Sequence, residues 1–427
     1  MNKSNRINTH LGWALALASW IGTSSAFAQA PVPVSLQPGA MVGICGDSIT
    51  QQKLYSVYIE DYLTMCQPAL SLKVAQFGLG GETSTKFLVR MKNDVLPFKP
   101  TVATLFYGMN DGGYVASDPA HLDAYKKAMT DIVQTFKSNG VKFIVVGSPG
   151  VVDNASFKRN DPSVYNKTLS DLGDVARAVA TDQGVTFTDV HAIMENAMTR
   201  AKAKYGDAYH FAGDDGIHPG PNGHIAIAYA FLKALGCSGD IGTITLDFKA
   251  NTATGTDGQK ILTVQNGSVA IESTRYPFCF YGDPAKPDST RGTIEFVPFN
   301  QDLNRYLLIV KNGPAGNMKV TWGDQSKIFL SSDLEKGVNL AAEFLDNPFN
   351  APFTKVENAI RHQQDFETSA VQDMLHSISN WTQSFPDQQS TFDQFKQSIS
   401  GIDDNLRQTA AATVTPVQHT IKVEVAN

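Results

Sequence analysis

An α/β fold built on a parallel sheet is predicted for residues 36 to 236, followed by an antiparallel β-module and C-terminal helices. Three observations predict it. From Met41 to Leu235, strand-like apolar runs alternate with helical patterns, as in a parallel sheet covered on both faces. Several of those runs are apolar without alternation, the mark of a strand buried on both sides. Near Cys237 the texture changes to short, often alternating runs separated by Gly, Pro, Asn and Asp.

The elements follow in order. "MVGIC" is the first strand and "YSVYIEDYLTMC" the first long helix. "LSLKVAQFG" is strand-like and breaks at "GLGGETS"; "KFLVRMKNDVL" is helical. "TVATLFYG" is the third strand, and the amphipathic "HLDAYKKAMTDIVQTFKSNG" ends on a glycine, as helices often do. "VKFIVVGSP" and "VTFTDV" are the fourth and fifth strands, with the helix "SVYNKTLSDLGDVARAVATDQG" between them. "GHIAIAYAFLKALG" closes the region as a helix. Beyond it, "GTITLDFKA", "KILTVQNGSVAIEST", "TIEFVPF", "RYLLIVKN" and "MKVTWGD" read as strands of a β-module over residues 240 to 335. Residues 336 to 427 are helical, ending in a strand, "HTIKVEV", that is free to return to the module. This segment is expected to pack on the β-module.

Composition narrows the function classes. With 42% hydrophobic and 18% charged residues among 427, the chain can fill a sizeable core, which excludes general disorder. Residues 1 to 30 have the layout of a secretory signal peptide: Lys3 and Arg6, the apolar "LGWALALASWIG", then small residues at Ala26, Ala28 and Ala30. A periplasmic or secreted location is therefore expected. No later run is long and apolar enough to span a bilayer. Without Lys3 and Arg6 the balance is 33 basic (35 − 2) against 41 acidic residues, a charge of −8 with no basic block. Nucleic acid is excluded as a partner on that ground. Cys45, Cys66, Cys237 and Cys279 form no CxxC or Cys/His cluster, so no zinc site is expected. An exported chain can oxidise its thiols, and a Cys237–Cys279 bridge between the closing helix and the β-module is expected.

Four blocks stand out: Gly46-Asp47-Ser48-Ile49-Thr50, "GLGGETS" (78 to 84), "YGMND" (107 to 111) and "DDGIHPGPNGH" (214 to 224). Each follows a strand or precedes a helix, and sites on such sheets form beyond the C-terminal strand ends. A serine hydroxyl needs a base, the base histidine needs an orienting group, and an acyl-transfer intermediate needs donors for its oxyanion. Asp215 lies three residues before His218 on a bend with Gly216 and Pro219. Asp47 is expected to shape the turn through local hydrogen bonds. His191, His210 and His224 are rival bases without an Asp-x-x-His partner, and Asp214 is a rival acid.

In this order the blocks resemble those of the SGNH hydrolases, the GDSL-type esterases and lipases. The resemblance spans roughly residues 36 to 236 and implies a flavodoxin-like three-layer α/β/α sandwich. It implies that Ser48 is the nucleophile, with Asp215 and His218 completing the triad. Its oxyanion donors map to the Ser48 N–H, the Gly81 N–H (Gly80 being the other register) and the Asn110 side chain. No metal or organic cofactor is implied. The expected activity is hydrolysis of carboxylic esters through an acyl-enzyme, on a small-molecule or glycan ester. The Gly-, Ser- and Asp-rich loops offer little apolar lining, so short acyl groups such as acetyl are expected. The same acyl-enzyme would serve an exported O-acyltransferase, although there the Asp-His pair often precedes the serine. A non-catalytic carbohydrate-binding protein of this fold is the third alternative. The region after residue 240 is not needed by the minimal family fold and leaves the substrate class and the oligomeric state open.

Overall fold

The structure is a computed structural model that describes residues 36–426. The signal-peptide reading therefore lies outside the described residues. Strands β1 (Met41–Gly46), β2 (Lys73–Gln76), β3 (Val102–Phe106), β4 (Phe143–Gly147) and β5 (Thr186–Thr188) form one parallel sheet in the order β2-β1-β3-β4-β5. Every residue of β1, β3 and β4 is buried, matching their unbroken apolar sequences. Helices α1 (Ser48–Gln51), α2 (Tyr55–Asp61), α3 (Ser84–Asp94), α4 (Pro119–Ser138), α5 (Pro162–Gln183), α6 (Val190–Tyr205) and α7 (Pro221–Ala234) complete the α/β region. Asp-Pro pairs start α4 and α5: Asp118 and Asp161 accept from the N–H groups of Ala120 and Ser163, and the prolines occupy a position whose N–H would have no helical partner. The strand order reverses between β1 and its neighbours, and crevices for ligands lie at such switch points.

The second half contains β6 (Asp240–Asp247), β7 (Thr252–Gly255), β8 (Gln259–Gln265), β9 (Ser268–Ser273), β10 (Arg305–Lys311), β11 (Asn317–Trp322), β12 (Gln325–Leu330), β13 (Val338–Asn339) and β14 (Val417–Val425). They make two sheets, ordered β13-β10-β6-β7 and β12-β11-β14-β9-β8. The predicted last strand does return, and it sits at the centre of the second sheet, paired with β9 and β11. The Asn266-Gly267 turn joining β8 and β9 has two positive φ angles, as a tight hairpin requires.

The structure departs from the sequence reading in several places. β6 and β10 pair in parallel, so the module is not wholly antiparallel. "TIEFVPF" is not a strand: it begins on α8 (Thr290–Thr293), a helical turn capped by Ser289, and continues as a turn through Phe296. Arg291 fixes that turn by donating to Phe280 O and Leu345 O, a long-range contact that overrides the local β-propensity. Cys237 and Cys279 are free, buried thiols like Cys45 and Cys66, so the expected bridge is absent. Among the described residues no helix is long and apolar enough to cross a membrane.

Helices α9 (Phe299–Asp302), α10 (Ser331–Lys336) and α11 (Leu340–Glu343) are short, whereas α12 (Asn350–Ser369), α13 (His376–Ser384) and α14 (Gln389–Ala412) are long. α12 and α14 pack against the parallel sheet, not only on the β-module as the sequence suggested. The reason is polar. β2 is an edge strand, and its exposed backbone groups need partners. Gln363 and Arg407 both donate to Val74 O, and Glu367 accepts from Gln76 N at 2.8 Å. Glu60 of α2 accepts from Gln363 at 3.0 Å and from Gln364 at 2.7 Å, all within a buried layer.

Burial raises the Glu60 carboxyl to about 7, against the pull of the Gln364 and Gln363 hydrogen bonds and the Arg407 charge. Burial likewise holds Glu367 well above the usual carboxylate range, and the nearby Asp403 and Glu60 push the same way. The folded chain thus binds these protons more tightly than the unfolded chain. Their contribution to stability is complete below about pH 4 and declines as the pH rises towards 7. Thermal melts should accordingly show a downward slope from pH 5 to pH 8, and Glu60→Gln should make it shallower. An unchanged slope in the variant would remove Glu60 from this account.

Candidate active site

The four blocks converge where the sequence places them, beyond the C-terminal ends of β1, β2 and β3. Gly46 ends β1, and Asp47 caps α1 by accepting from Ile49 N at 3.0 Å, which leaves Ser48 as the first helical residue. Burial raises the Asp47 carboxyl to about 7, opposed by the Ile49 hydrogen bond and reinforced by the charges of Asp111 and Glu82. Ser48 is half-buried. Its Oγ lies 2.7 Å from His218 Nε2, and His218 Nδ1 lies 2.6 Å from Asp215 Oδ2.

The local turn explains the Asp-x-x-His spacing. Asp215 Oδ1 accepts from Ile217 N and His218 N, both at 2.9 Å, so the carboxylate closes the bend that carries the histidine. Gly216, at φ +75°, is needed there, because a Cβ would stand 2.3 Å from Phe157 N. Burial tends to raise the Asp215 carboxyl, but the hydrogen bonds from His218 and Ile217 outweigh it and hold the group below the usual range. An ionised Asp215 fixes the proton on Nδ1. Nε2 is then the acceptor facing Ser48 Oγ–H, and the arrangement can remove that proton.

Gly81 lies in the exposed turn after β2 with φ +67° and open space where a Cβ would be. A side chain would be strained at this φ and would crowd the approach to the backbone. Gly80 is exposed as well, but a Cβ there would press on the Gln51 side chain at 2.8 Å. Asn110 is half-buried after β3. Its Nδ2 donates to Glu82 O at 3.0 Å, and its Oδ1 accepts from Tyr114 Oη at 2.8 Å.

The rivals have other employment. His191 is buried with Nδ1 2.9 Å from Gly150 O, and His210 pairs with the fully exposed Asp214. His224 is buried and is pushed down to about 3, by burial first and then by the neighbouring His218. It accepts from Tyr55 N on Nδ1, so Nε2 carries the proton and donates to Gln52 Oε1. Gln52 Nε2 in turn donates to Pro219 O. This chain of bonds ties the His218 loop to the segment after Ser48, a link the sequence reading missed.

A second missed group lies beneath the site. Arg90 of α3 is buried and makes two bonds to Glu82, at 2.6 and 2.7 Å, and one to Phe77 O at 2.6 Å. Tyr107 Oη donates to the same carboxylate at 2.9 Å. No local signal marks the pair in sequence: Glu82 stands among Gly, Thr and Ser ahead of α3, and Arg90 is followed by Met, Lys, Asn and Asp. Among the described residues no group of three or more His, Cys, Asp or Glu side chains is gathered as metal ligands would be.

A parallel sheet with a serine, a histidine and a carboxylate in series beyond its C-terminal edge defines an α/β hydrolytic enzyme. Residues 44–226 match the GDSL-like Lipase/Acylhydrolase family, so this region is a GDSL-type domain, and the protein is a hydrolase of ester bonds. An acetylxylan esterase of Geobacillus stearothermophilus is 25% identical over 188 residues, which is 43% of this chain and 80% of that protein. A crystal structure of that esterase aligns at 24% identity with a TM-score of 0.40, covering 48% of this chain and 97% of its own. A gut microbial diltiazem-metabolizing enzyme shares the fold over 92% of this chain and 99% of its own, with a TM-score of 0.71 at 21% identity. The second half of the molecule is thus part of a shared architecture.

Breaking a buried ion pair from one side leaves an uncompensated charge. Arg90→Met should therefore destabilise the protein by about 3–5 kcal/mol in chemical denaturation, while the exposed-pair variant Lys127→Met should cost well under about 1 kcal/mol. Equal effects would mean that the Arg90–Glu82 pair is not a structural centre.

Proposed function

We propose that the protein removes short acyl groups, acetyl foremost, from a glycan or related small ester through an acyl-enzyme on Ser48. The observation that carries this reading is the unbroken series Asp215 Oδ2, His218, Ser48 Oγ, with contacts of 2.6 and 2.7 Å. His218 Nε2 takes the Ser48 proton as Oγ attacks the acyl carbon. The negative charge on the carbonyl oxygen is met by the Ser48 and Gly81 N–H groups and the Asn110 amide. His218 then protonates the leaving alcohol, activates a water for deacylation and returns the proton to Ser48. Asp215 holds the tautomer throughout.

Two things support the short-acyl, glycan side of the proposal. The similar enzyme from Geobacillus stearothermophilus is an acetylxylan esterase. The loops around the site, "GLGGETS" and "GMNDGGYVASDP", offer hydrogen bonds and little apolar surface, and each buried CH₂ of a long chain contributes only about 0.8 kcal/mol. The leader-like N-terminus favours an exported enzyme, where polymeric glycans are met. The β-module is read as support for the hydrolase, because its only tryptophan, Trp322, is fully buried and donates to His419, leaving no indole platform for a sugar.

Steady-state assays test this directly. Ser48→Ala should leave less than about a hundredth of the wild-type kcat with Tm nearly unchanged. Asn110→Ala should lower kcat by roughly 10²–10³ with little change in KM. Asp215→Asn should cut kcat by orders of magnitude, and Asp214→Asn should be mild. Across nitrophenyl esters, kcat/KM should be highest for acetate. A rise towards palmitate would reject the short-acyl reading.

A further inference from the structure

We propose that Tyr114 is a positioning residue for the oxyanion site: its phenol fixes the Asn110 amide so that Nδ2 faces the reacting carbonyl. The proposal rests on the reading of Asn110 given above and adds the group that makes it work.

Geometry carries the argument. An asparagine amide can flip, exchanging a donor for an acceptor at the same place. Here both ends are engaged. Oδ1 accepts from Tyr114 Oη at 2.8 Å, and Nδ2 donates to Glu82 O at 3.0 Å. A flip would set the amide oxygen against the Glu82 carbonyl, acceptor against acceptor. Only one orientation satisfies both neighbours. The remaining Nδ2 hydrogen has a weak contact at most, with Asp47 Oδ2 at 3.5 Å, and is available to a developing oxyanion. The phenol bond also polarises the amide and sharpens its N–H as a donor.

Tyr114 is held in place at a cost, which separates it from an incidental neighbour. Its φ is +61°, directly after Gly113 at +62°, so two successive residues turn left-handed and fold the chain back over Asn110. An aromatic residue in that region is uncommon. Several contacts hold it there. The ring stacks on Tyr165 with centroids 5.0 Å apart, and the Arg159 guanidinium lies 4.1 Å above it. Asn160 Nδ2 donates to Tyr114 O at 3.1 Å, and Tyr165 Oη donates to Met109 O, the residue before Asn110. Burial, with the Asp47 and Asp215 charges and against Arg159, raises the phenol above its usual range, so it stays protonated as a donor.

The test is a double-mutant cycle on the full chain with an acetyl ester, using Tyr114→Phe, Asn110→Ala and both together. Tyr114→Phe keeps the ring and its stacking and removes only the hydroxyl. It should lower kcat roughly tenfold, the equivalent of one oriented hydrogen bond, with KM changed by less than about twofold and Tm nearly unchanged. In the Asn110→Ala background the same change should have almost no further effect, because the amide it orients is gone. If Asn110→Ala is impaired while Tyr114→Phe keeps wild-type kcat, the positioning role is overturned and the oxyanion reading stands. An equal loss in both backgrounds also overturns it, since the phenol would then act independently of Asn110. If Asn110→Ala itself keeps wild-type kcat, the oxyanion reading fails and this proposal falls with it.

Discussion

The Arg90 guanidinium is the constraint on which the rest of the site depends. It is buried, and a buried cation is tolerated only when its hydrogen-bonding directions are answered. Glu82 answers two of them, Phe77 O a third and Asp94 a fourth, at 3.4 Å. Tyr107 Oη joins by donating to Glu82 at 2.9 Å and lies 3.2 Å from Gly46 O, so its one hydrogen is shared between the two. One charge therefore clamps the end of β2, the end of β3 and the last residue of β1. Those are the three strand ends from which the Ser48, Gly81 and Asn110 segments emerge. Since Glu82 O also receives the Asn110 amide, the position of that amide is set by the same ion pair.

The fold was legible because its strongest signals are local. Unbroken apolar runs identified the buried strands, and Asp-x-x-His with an intervening glycine identified a turn that closes on its own carboxylate. The parts that were not legible depend on partners far away in the chain. Nothing near "TIEFVPF" shows that Arg291 will reach Phe280 and Leu345 and hold the chain in a helical turn. α6 was missed because its inward face uses small residues: Ala197 and Ala201 lie beside Val190, Met194 and Met198. The Gln52–His224 link joins two ordinary polar residues 172 positions apart. The Cys237–Cys279 expectation failed because an oxidising compartment permits a bridge without requiring one, and here the thiols lie buried as small apolar groups.

The second half of the chain reads differently once the hydrogen bonds are followed. Its sheets enclose an aromatic centre of Tyr306, Trp322, Phe349 and His419, and burial pushes His419 down to about 4, so that it stays neutral there. That centre faces inward. The links to the hydrolase region combine ring contacts, Tyr62 and Tyr229 against Phe299, with directional bonds that include Tyr276 N to Met65 O, Arg275 to Cys66 O and Tyr62 Oη to Leu303 O. The bonds grip the turn after α2, while α12 and α14 grip β2. The accessory part thus holds the catalytic sheet from two sides.

The capping of β2 has a consequence for how the chain comes into being. The groups that complete that strand's edge, Gln363, Glu367 and Arg407, lie about 290 to 330 positions downstream of the backbone atoms they satisfy. During synthesis the strand leading to the glycine-rich loop is made early and waits for almost the whole remaining polypeptide. Throughout that interval its Val74 carbonyl and Gln76 amide face outward as a template for any passing strand. The edge of the catalytic sheet is thus completed only by residues from the far end of the chain.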